Sequence, residues 1–373
     1  MLRGVLLAGL ASLVLAGGAQ ARAVPFGFLG VTADGPLTTG APRPAEFALM
    51  QRHGVELLRI GIEWNVVEPA PGVLRWAGTD ALVTAAAQHG MDVLPTIAWT
   101  PRWAAAHPGV RTSPPDDDAT YGRFAAEAVR RYGPGGAFWR EHPEVKPRPI
   151  RMWQVWNEPN QAVYGWSDQP FAPGYVALLR AARAAIKGVD PRAQIVLAGL
   201  VGPSSGHDLN TIYAAHGRGL FDMADLHPFA IKPEGVLRIV RQARHAMNRH
   251  GDRDTPLSIT ELTWPAAAGK RTVRRYGFEV DEQTQASDLR SALDQLLAQA
   301  PQPPARARHV VHVDHRFAGR HRRLIRLLGP ARAAARRPGG GPPRAGRVRV
   351  DRAPHRALTQ PRPAASMACC RLG

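Results

Sequence analysis

The feature that most constrains the fold of this 373-residue chain is a regular alternation of strand-like and helix-like segments from Phe26 to Ala300. Short apolar runs recur, and a longer segment with the apolar spacing of a helix follows each one. The predicted strands are Phe26–Val31, Leu57–Trp64, Val93–Trp99, Ile150–Trp156, Ile195–Leu200, Ala224–His227 and Leu257–Leu262. The predicted helices are Pro44–His53, Thr79–His89, Asp118–Tyr132, Gly174–Val189, Leu209–His216, Val236–His250 and Glu282–Ala300. Seven such units predict a parallel βαβ architecture.

Within this class the pattern favours a closed (β/α)8 TIM barrel over an open, doubly wound sheet. No Gly-x-Gly-x-x-Gly run and no phosphate-binding loop follows the first predicted strand, so nucleotide binding has no support. Glycines directly after helical segments, as in His53-Gly54 and His250-Gly251, are typical of helix C-caps. Seven strands leave the barrel one strand short, and the missing one falls where the C-terminal tail begins.

The N-terminal residues predict export. Arg3 precedes an apolar stretch from Val5 to Ala16, and small residues near Ala21 and Ala23 offer a cleavage site. The apolar stretch is too short for a stable membrane span. We therefore expect residues 1–23 to be a signal peptide and the protein to be secreted, either extracellular or periplasmic. The two cysteines, Cys369 and Cys370, lie in the tail, so the body contains none and cannot form a disulfide.

The net charge of +18 belongs to the tail rather than to the body. Residues 303–373 hold 17 Arg, no Lys and 2 acids, a net charge of +15, which leaves +3 for residues 1–302. The body is thus not a nucleic-acid binder by charge. All nine Trp and all six Tyr also lie before Pro303. We assign residues 24–302 to one (β/α)8 domain and residues 303–373 to a basic, disordered Arg/Pro/Gly-rich tail.

A second interpretation of the tail is a frame slip. Residues 308–315 can be encoded by CGG CAC GTG GTA CAC GTG GAT CAC, which a one-base shift reads as Gly-Thr-Trp-Tyr-Thr-Trp-Ile-Thr. That alternative is an aromatic β-strand, and it falls where the eighth barrel strand is needed. We therefore expect the eighth strand to be lost or garbled by a frame slip. The codons of the gene around Gln302 test this hypothesis.

Two glutamates mark the candidate active site. Glu158 lies in the run Trp156-Asn157-Glu158-Pro159-Asn160, directly after the fourth predicted strand, and Pro159 stops further strand pairing. Glu261 lies near the end of the seventh predicted strand. Catalytic residues of parallel α/β barrels stand at the C-terminal ends of the strands. Hydrolysis of a glycosidic bond needs two carboxyl groups, and a separation of about 5–5.5 Å implies retention of configuration.

Four motifs in barrel order carry a resemblance to a known group. They are Arg59-Ile60-Gly61-Ile62-Glu63-Trp64, Trp156-Asn157-Glu158-Pro159-Asn160, Leu226-His227-Pro228-Phe229 and Ile259-Thr260-Glu261-Leu262. Over residues 26–300 the chain resembles the clan A retaining glycoside hydrolases, above all the family 39-like and cellulase-type (family 5-like) enzymes. The resemblance implies a retaining β-glycoside hydrolase that cleaves O-glycosidic bonds of an oligo- or polysaccharide without a cofactor.

The resemblance also implies roles for individual residues. Glu158 would be the general acid/base and Glu261 the nucleophile. Asn157 would bind the sugar 2-hydroxyl, Arg59 would keep Glu261 ionised, and His227 would line the subsite between the two acids. The candidates for stacking on sugar faces are Trp99, Trp103, Trp166 and Trp264.

Two departures from the family pattern and several alternatives accompany these assignments. Phe229 stands where relatives often carry Tyr, and Thr263 stands where Gly is usual. A catalytically inactive carbohydrate-binding protein on the same barrel is therefore an alternative, and nucleic-acid binding through the tail is a third. We expect no metal site, since the histidines show no ligand spacing. The sugar, the linkage, exo or endo action and the oligomeric state stay open.

Overall fold

The computed structural model describes residues 27–33, 43–166, 170–270 and 277–299, together with the backbone of residues 311–314. Nine strands run through this part of the chain. They are β1 (Leu29–Thr32), β2 (Leu57–Glu63), β3 (Asp92–Ala98), β4 (Met152–Val155), β5 (Gln194–Val196), β6 (Leu200–Val201), β7 (Ala224–His227), β8 (Leu257–Leu262) and β9 (Val311–Asp314). Every strand pairing among them is parallel.

The strands form one parallel sheet with the strand order of a (β/α)8 TIM barrel. Their order is β5-β4-β3-β2-β1-β9-β8-β7-β6, so the two end members, β5 and β6, follow one another directly in the chain. They are two halves of the fifth barrel strand, separated by Leu197, Ala198 and Gly199. The Leu197 N–H donates to the Met223 carbonyl just before β7 at 2.9 Å. The predicted barrel class is therefore confirmed, although the single predicted strand Ile195–Leu200 is interrupted.

The eighth barrel position is occupied by a strand from the tail. β9 pairs with β1 through four register partners and with β8 through two, at Ile259 and Leu262. The translated tail thus supplies a strand at the position where we expected a lost or garbled one. A frame slip concerns the codons, so it stays a prediction. The rest of the tail and its predicted disorder lie outside the described residues.

Nine α-helices connect or flank these strands in the described part of the chain. They are α1 (Pro44–Arg52), α2 (Trp64–Val67), α3 (Ala77–Gln88), α4 (Asp118–Tyr132), α5 (Ala137–Glu141), α6 (Phe171–Val189), α7 (Ser205–Ala214), α8 (Pro233–Arg249) and α9 (Glu282–Gln299). After α1, α3 and α8 the chain turns at a glycine with positive φ, as predicted, and Gly54 has φ 80°.

Apolar faces of these helices pack on the outside of the strands. Trp64, Phe124 and Tyr121 form a buried aromatic group between β2 and α4, with the Trp64 and Phe124 rings stacked at 5.4 Å. A second buried group joins α8 and α9 to β8 through Val236, Leu289 and Ile259. The hydrophobic layer thus lies between sheet and helices, and the C-terminal ends of the strands are left for polar groups.

The predicted signal peptide, residues 1–23, lies outside the described residues. None of the helices that the structure describes is both long and apolar enough to cross a membrane.

Candidate active site

The two predicted carboxyl groups meet at the C-terminal end of the barrel. Glu158 follows β4 by three residues, and Glu261 is the fifth residue of β8. Both are buried, with exposed fractions of 8% and 3%. One carboxylate oxygen of each residue and one ring nitrogen of His227 all lie within 4.8 Å of one another. Two carboxyl groups this close can act on the same atom of a ligand.

Arg59 holds the Glu261 side of the site. Its Nη1 donates to Glu261 Oε1 at 2.8 Å, and its Nη2 donates to Asn157 Oδ1 at 2.7 Å. Its Nε donates to Gln154 Oε1 at 2.7 Å. A buried guanidinium with three charge-assisted partners is held in one orientation. Its positive charge stabilises the ionised form of Glu261.

His227 holds the Glu158 side. Its Nδ1 lies 2.7 Å from Glu158 Oε1, and its Nε2 lies 2.9 Å from Thr260 Oγ1. Burial lowers the pKa of His227, but the negative charge of Glu261 and the hydrogen bond with Glu158 outweigh it, so the pKa lies above the usual value. The imidazole fills a space that requires glycine opposite it, because a Cβ on Gly199 would lie 2.0 Å from Nε2.

The backbone next to Glu158 and at the end of β3 is strained. Glu158 has φ 48°, Trp156 has φ 69° and Trp99 has φ 67°. A non-glycine residue with positive φ costs about 1–3 kcal/mol of conformational free energy, and such residues cluster at functional sites. Surrounding bonds hold the conformation, since the Trp156 N–H donates to the Ile97 carbonyl at 2.9 Å and the indole N–H donates to Tyr164 at 2.7 Å. The strain aims the Glu158 carboxyl into the site.

A cavity of about 430 Å³ opens beside Glu261, and Glu158 is not among the residues that line it. Its lining includes Arg59, Asn157, Glu261 and Trp99, together with residues of the α2–α3 region such as Arg75. This volume lies within the range of pockets that bind small ligands, about 300–1,000 Å³.

The predicted aromatic residues divide into two groups. Trp99 is partly buried and lines the cavity, and Trp103 is also partly buried. Trp166 is 6% exposed and packs against Trp156 with ring centres 5.9 Å apart. Trp264 is fully buried, and its indole N–H donates to the Ile231 carbonyl at 3.1 Å.

The structure therefore corrects the stacking assignments of Trp166 and Trp264. Their rings are covered by protein, because Trp166 packs against Trp156 and Tyr175, and Trp264 belongs to the buried group that joins α8 and α9 to β8. Trp99 remains placed for contact with a ligand.

Three buried polar residues beneath the site were not predicted. Gln154, Asp225 and Thr260 have no solvent exposure. Gln154 Nε2 donates to Asp225 Oδ2 at 2.6 Å, and the Thr260 hydroxyl donates to the same oxygen. One sequence signal could have indicated this network. Asp225 lies inside the apolar strand Ala224-Asp225-Leu226, and a charge at such a position needs buried partners.

The donor atoms of Glu158, His227 and Glu261 are close enough to suit a metal ion. Their charges argue for a different state, since Arg59 already places a full positive charge 2.8 Å from Glu261. A cation between the carboxylates would be repelled by that guanidinium. It would also compete with a proton for His227, whose pKa is raised. The arrangement suits proton transfer at Glu158 and nucleophilic attack by Glu261.

Solved structures that match this fold include glycoside hydrolases. The chain matches a family 39 glycoside hydrolase from Bacteroides cellulosilyticus WH2 with a TM-score of 0.55 and 17% identity, over 78% of this chain and 56% of that one. It matches the GH53 catalytic domain of Ignisphaera aggregans with a TM-score of 0.55 and 17% identity, over 83% and 98%. The Pseudomonas stutzeri endoglucanase Cel5A, solved with cellobiose, matches with a TM-score of 0.52 and 14% identity, over 83% and 95%.

These likenesses confirm, for the fold, the resemblance that the four motifs indicated. The chain spans little more than half the length of the family 39 enzyme. No protein-family model and no curated protein matches the sequence.

Proposed function

We propose that this protein is a secreted, extracellular or periplasmic, retaining β-glycoside hydrolase that cleaves an oligo- or polysaccharide. The observation that carries the proposal is the buried pair Glu158 and Glu261, whose nearest ligand-type oxygens lie within 4.8 Å at the carboxyl ends of two barrel strands. That spacing favours the retaining geometry, since inverting enzymes need about 6.5–9.5 Å between carboxyl groups to admit a water. The fold and the four motifs support the same activity.

In the first step Glu261 acts as nucleophile. Its carboxylate oxygen forms a bond to the anomeric carbon while the bond from that carbon to the leaving oxygen breaks. The Arg59 Nη1 group donates to Glu261 Oε1, and the positive charge of the guanidinium favours the ionised carboxylate. Glu158 gives its proton to the leaving oxygen, so the leaving group departs as a neutral alcohol.

In the second step Glu158 acts as base. It takes a proton from the attacking water, the water oxygen bonds to the anomeric carbon, and the bond to Glu261 breaks. The Asn157 Oδ1 atom accepts from Arg59, and this orientation presents the amide Nδ2–H₂ group as a donor. We assign that donor to the sugar 2-hydroxyl, where a hydrogen bond strengthens in the transition state.

The first test is hydrolysis of a panel of aryl β-glycosides by the wild-type chain and by Glu261→Gln. The substitution keeps the size of the side chain and removes the nucleophile, so we expect kcat/KM to fall on the order of 10⁴-fold or more. Glu144→Gln, at an exposed glutamate, serves as the matched control and should retain activity. Equal rates for wild type and Glu261→Gln would contradict the proposal. Saccharide binding without turnover by the wild type would support the inactive-barrel alternative.

A second prediction concerns the glycine that faces His227. In Gly199→Ala the new Cβ must displace the imidazole, which breaks the contacts to Glu158 and Thr260. We expect kcat/KM to fall about 10²-fold or more, the range of a lost acid/base contribution. Gly188→Ala is the matched control, because a Cβ there meets open space on α6. It should keep full activity, and a Gly199→Ala enzyme as active as this control would contradict the role of His227.

A further inference from the structure

The two catalytic carboxyl groups are joined by a chain of buried hydrogen bonds through the barrel interior. From Glu261 the chain runs through Arg59 and Gln154 to Asp225. From Asp225 it continues through Thr260 and His227 to Glu158. Asp225 lies at the centre of this chain and contacts neither carboxyl group that does the proposed chemistry.

The hydrogen-bond donors around Asp225 fix the direction of the bonds. Gln154 and Thr260 donate to Asp225 Oδ2, and the Ser258 hydroxyl donates to Oδ1 at 2.6 Å. An ionised Asp225 accepts all three bonds, and we take it in this form; the Ser258 hydroxyl also lies 3.2 Å from the Ala224 carbonyl, to which it can donate instead. Burial raises the pKa of Asp225, and the positive charges of His227 and Arg59 oppose that effect.

This direction decides which ring nitrogen of His227 carries a proton. The Thr260 hydroxyl has one hydrogen, which it gives to Asp225, so toward His227 Nε2 its oxygen can only accept. With Asp225 ionised, Nε2 is therefore the N–H. The other nitrogen, Nδ1, is then left facing Glu158 Oε1 at 2.7 Å.

We propose that Asp225, acting through Thr260, is a positioning residue that holds His227 with its proton on Nε2, so that Nδ1 and the Glu158 carboxyl group share one further proton. In the opposite tautomer Nδ1–H would donate to ionised Glu158 and the pair would lack the proton that a general acid needs. The inference rests on the proposed function. Asp225 is completely buried and takes no part in the double displacement itself, and the proposal assigns it a positioning role.

The charges that face His227 act in the same sense. Glu158, Glu261 and Asp225 lie on three different strands or strand ends around the ring, at 2.7, 3.9 and 3.7 Å, and Arg59 opposes them. Removing the charge of Asp225 therefore lowers the affinity of the His227–Glu158 pair for its shared proton. The high-pH limb of kcat/KM, which reports loss of that proton, should move to lower pH.

Two variants test the proposal in the full chain. In Asp225→Asn we expect the high-pH limb to move down by about one unit or more. Thr260→Val keeps the shape of the side chain and removes the acceptor for Nε2–H. Hydrolysis of glycosides with a poor leaving group should therefore slow. Dinitrophenyl glycosides need no acid, so their hydrolysis should slow much less. Thr260→Ser keeps the hydroxyl and should restore the wild-type profile.

Ser258→Ala is the matched control, because it also removes a hydroxyl that donates to Asp225 but no contact with His227. A purely structural role predicts the same change in Ser258→Ala and Thr260→Val, and that result would overturn the proposal.

Nitrogen-15 NMR of histidine-labelled protein reads the tautomer directly, with the His227 signal assigned by its loss in His227→Gln. Wild type should show Nε2 protonated, and Thr260→Val should show the proton redistributed toward Nδ1. If the His227 ring keeps the wild-type protonation in both Asp225→Asn and Thr260→Val, the proposal is overturned. Because this measurement needs no turnover, it separates a failure of this inference from a failure of the proposed hydrolase activity.

Discussion

Sodium azide should rescue the two catalytic variants with opposite stereochemistry. In Glu158→Ala the nucleophile is intact, so a dinitrophenyl β-glycoside still forms the glycosyl-enzyme, and azide attacks it to give a β-glycosyl azide. In Glu261→Ala the space left by the nucleophile admits azide to the opposite face of the sugar, which gives an α-glycosyl azide. The measurement is the anomeric configuration of the azide product by proton NMR. Both carboxyl groups are buried and close, which makes each vacated space a defined site.

The rates of these variants give an independent check. We expect Glu158→Ala to lose about 10²–10⁴-fold in kcat/KM on substrates that need protonation, and far less on dinitrophenyl glycosides. Glu261→Ala should lose activity on both kinds of substrate, because its chemistry is required whatever the leaving group. The same azide anomer from both variants would contradict the assignment of two different roles.

The positions of the two glutamates could be predicted because local patterns determine them. An apolar strand that ends in Asn-Glu-Pro places a carboxyl group at the strand end, and the barrel brings all such ends together. The strand bounds Ala224–His227 and Leu257–Leu262 agree with the structure for the same reason. The interruption of the fifth barrel strand was not predicted, although Gly199 gave a local sign, since a glycine inside a strand often marks a bulge or a close approach.

Features that depend on contacts between residues distant in the chain could not be predicted from the sequence. Whether an indole faces a cleft or the core is decided by what packs on it, as the burial of Trp264 under Ile231 shows. The bond from Gln154 to Asp225 joins residues 71 positions apart, and the bond from Arg59 to Glu261 joins residues 202 apart. Such partners are set by the closure of the barrel and have no local pattern.

The eighth strand escaped prediction for a related reason. The tail has the composition of a solvated chain, but a vacancy between two strand edges can order a backbone segment whose side chains give a weak β signal. The residues of β9 match β1 from Leu29 to Thr32, one partner for each residue. Tertiary context thus overrides composition at this place.

Removing the tail strand should therefore destabilise the protein strongly. A chain that ends at Gln302 lacks β9 and leaves the edges of β1 and β8 without a partner. Each backbone hydrogen bond contributes about 0.5–1.5 kcal/mol, so the two ladders together contribute on the order of 5 kcal/mol, which is comparable to the whole stability of many domains. The exposed edges also favour aggregation. The measurement is urea unfolding followed by circular dichroism, together with light scattering.

A chain that ends at Ala334 is the matched control, because it keeps β9 and removes most of the arginine-rich residues. It should unfold at the same urea concentration as the full chain. Equal stability of the chain that ends at Gln302 would show that β9 contributes nothing to the barrel.

Replacing residues 308–315 by Gly-Thr-Trp-Tyr-Thr-Trp-Ile-Thr places aromatic and β-branched residues in the same strand and should raise stability above that of the full chain. A lower stability would argue that the frame-shifted strand does not belong to this barrel, since a native eighth strand has to fit between β1 and β8.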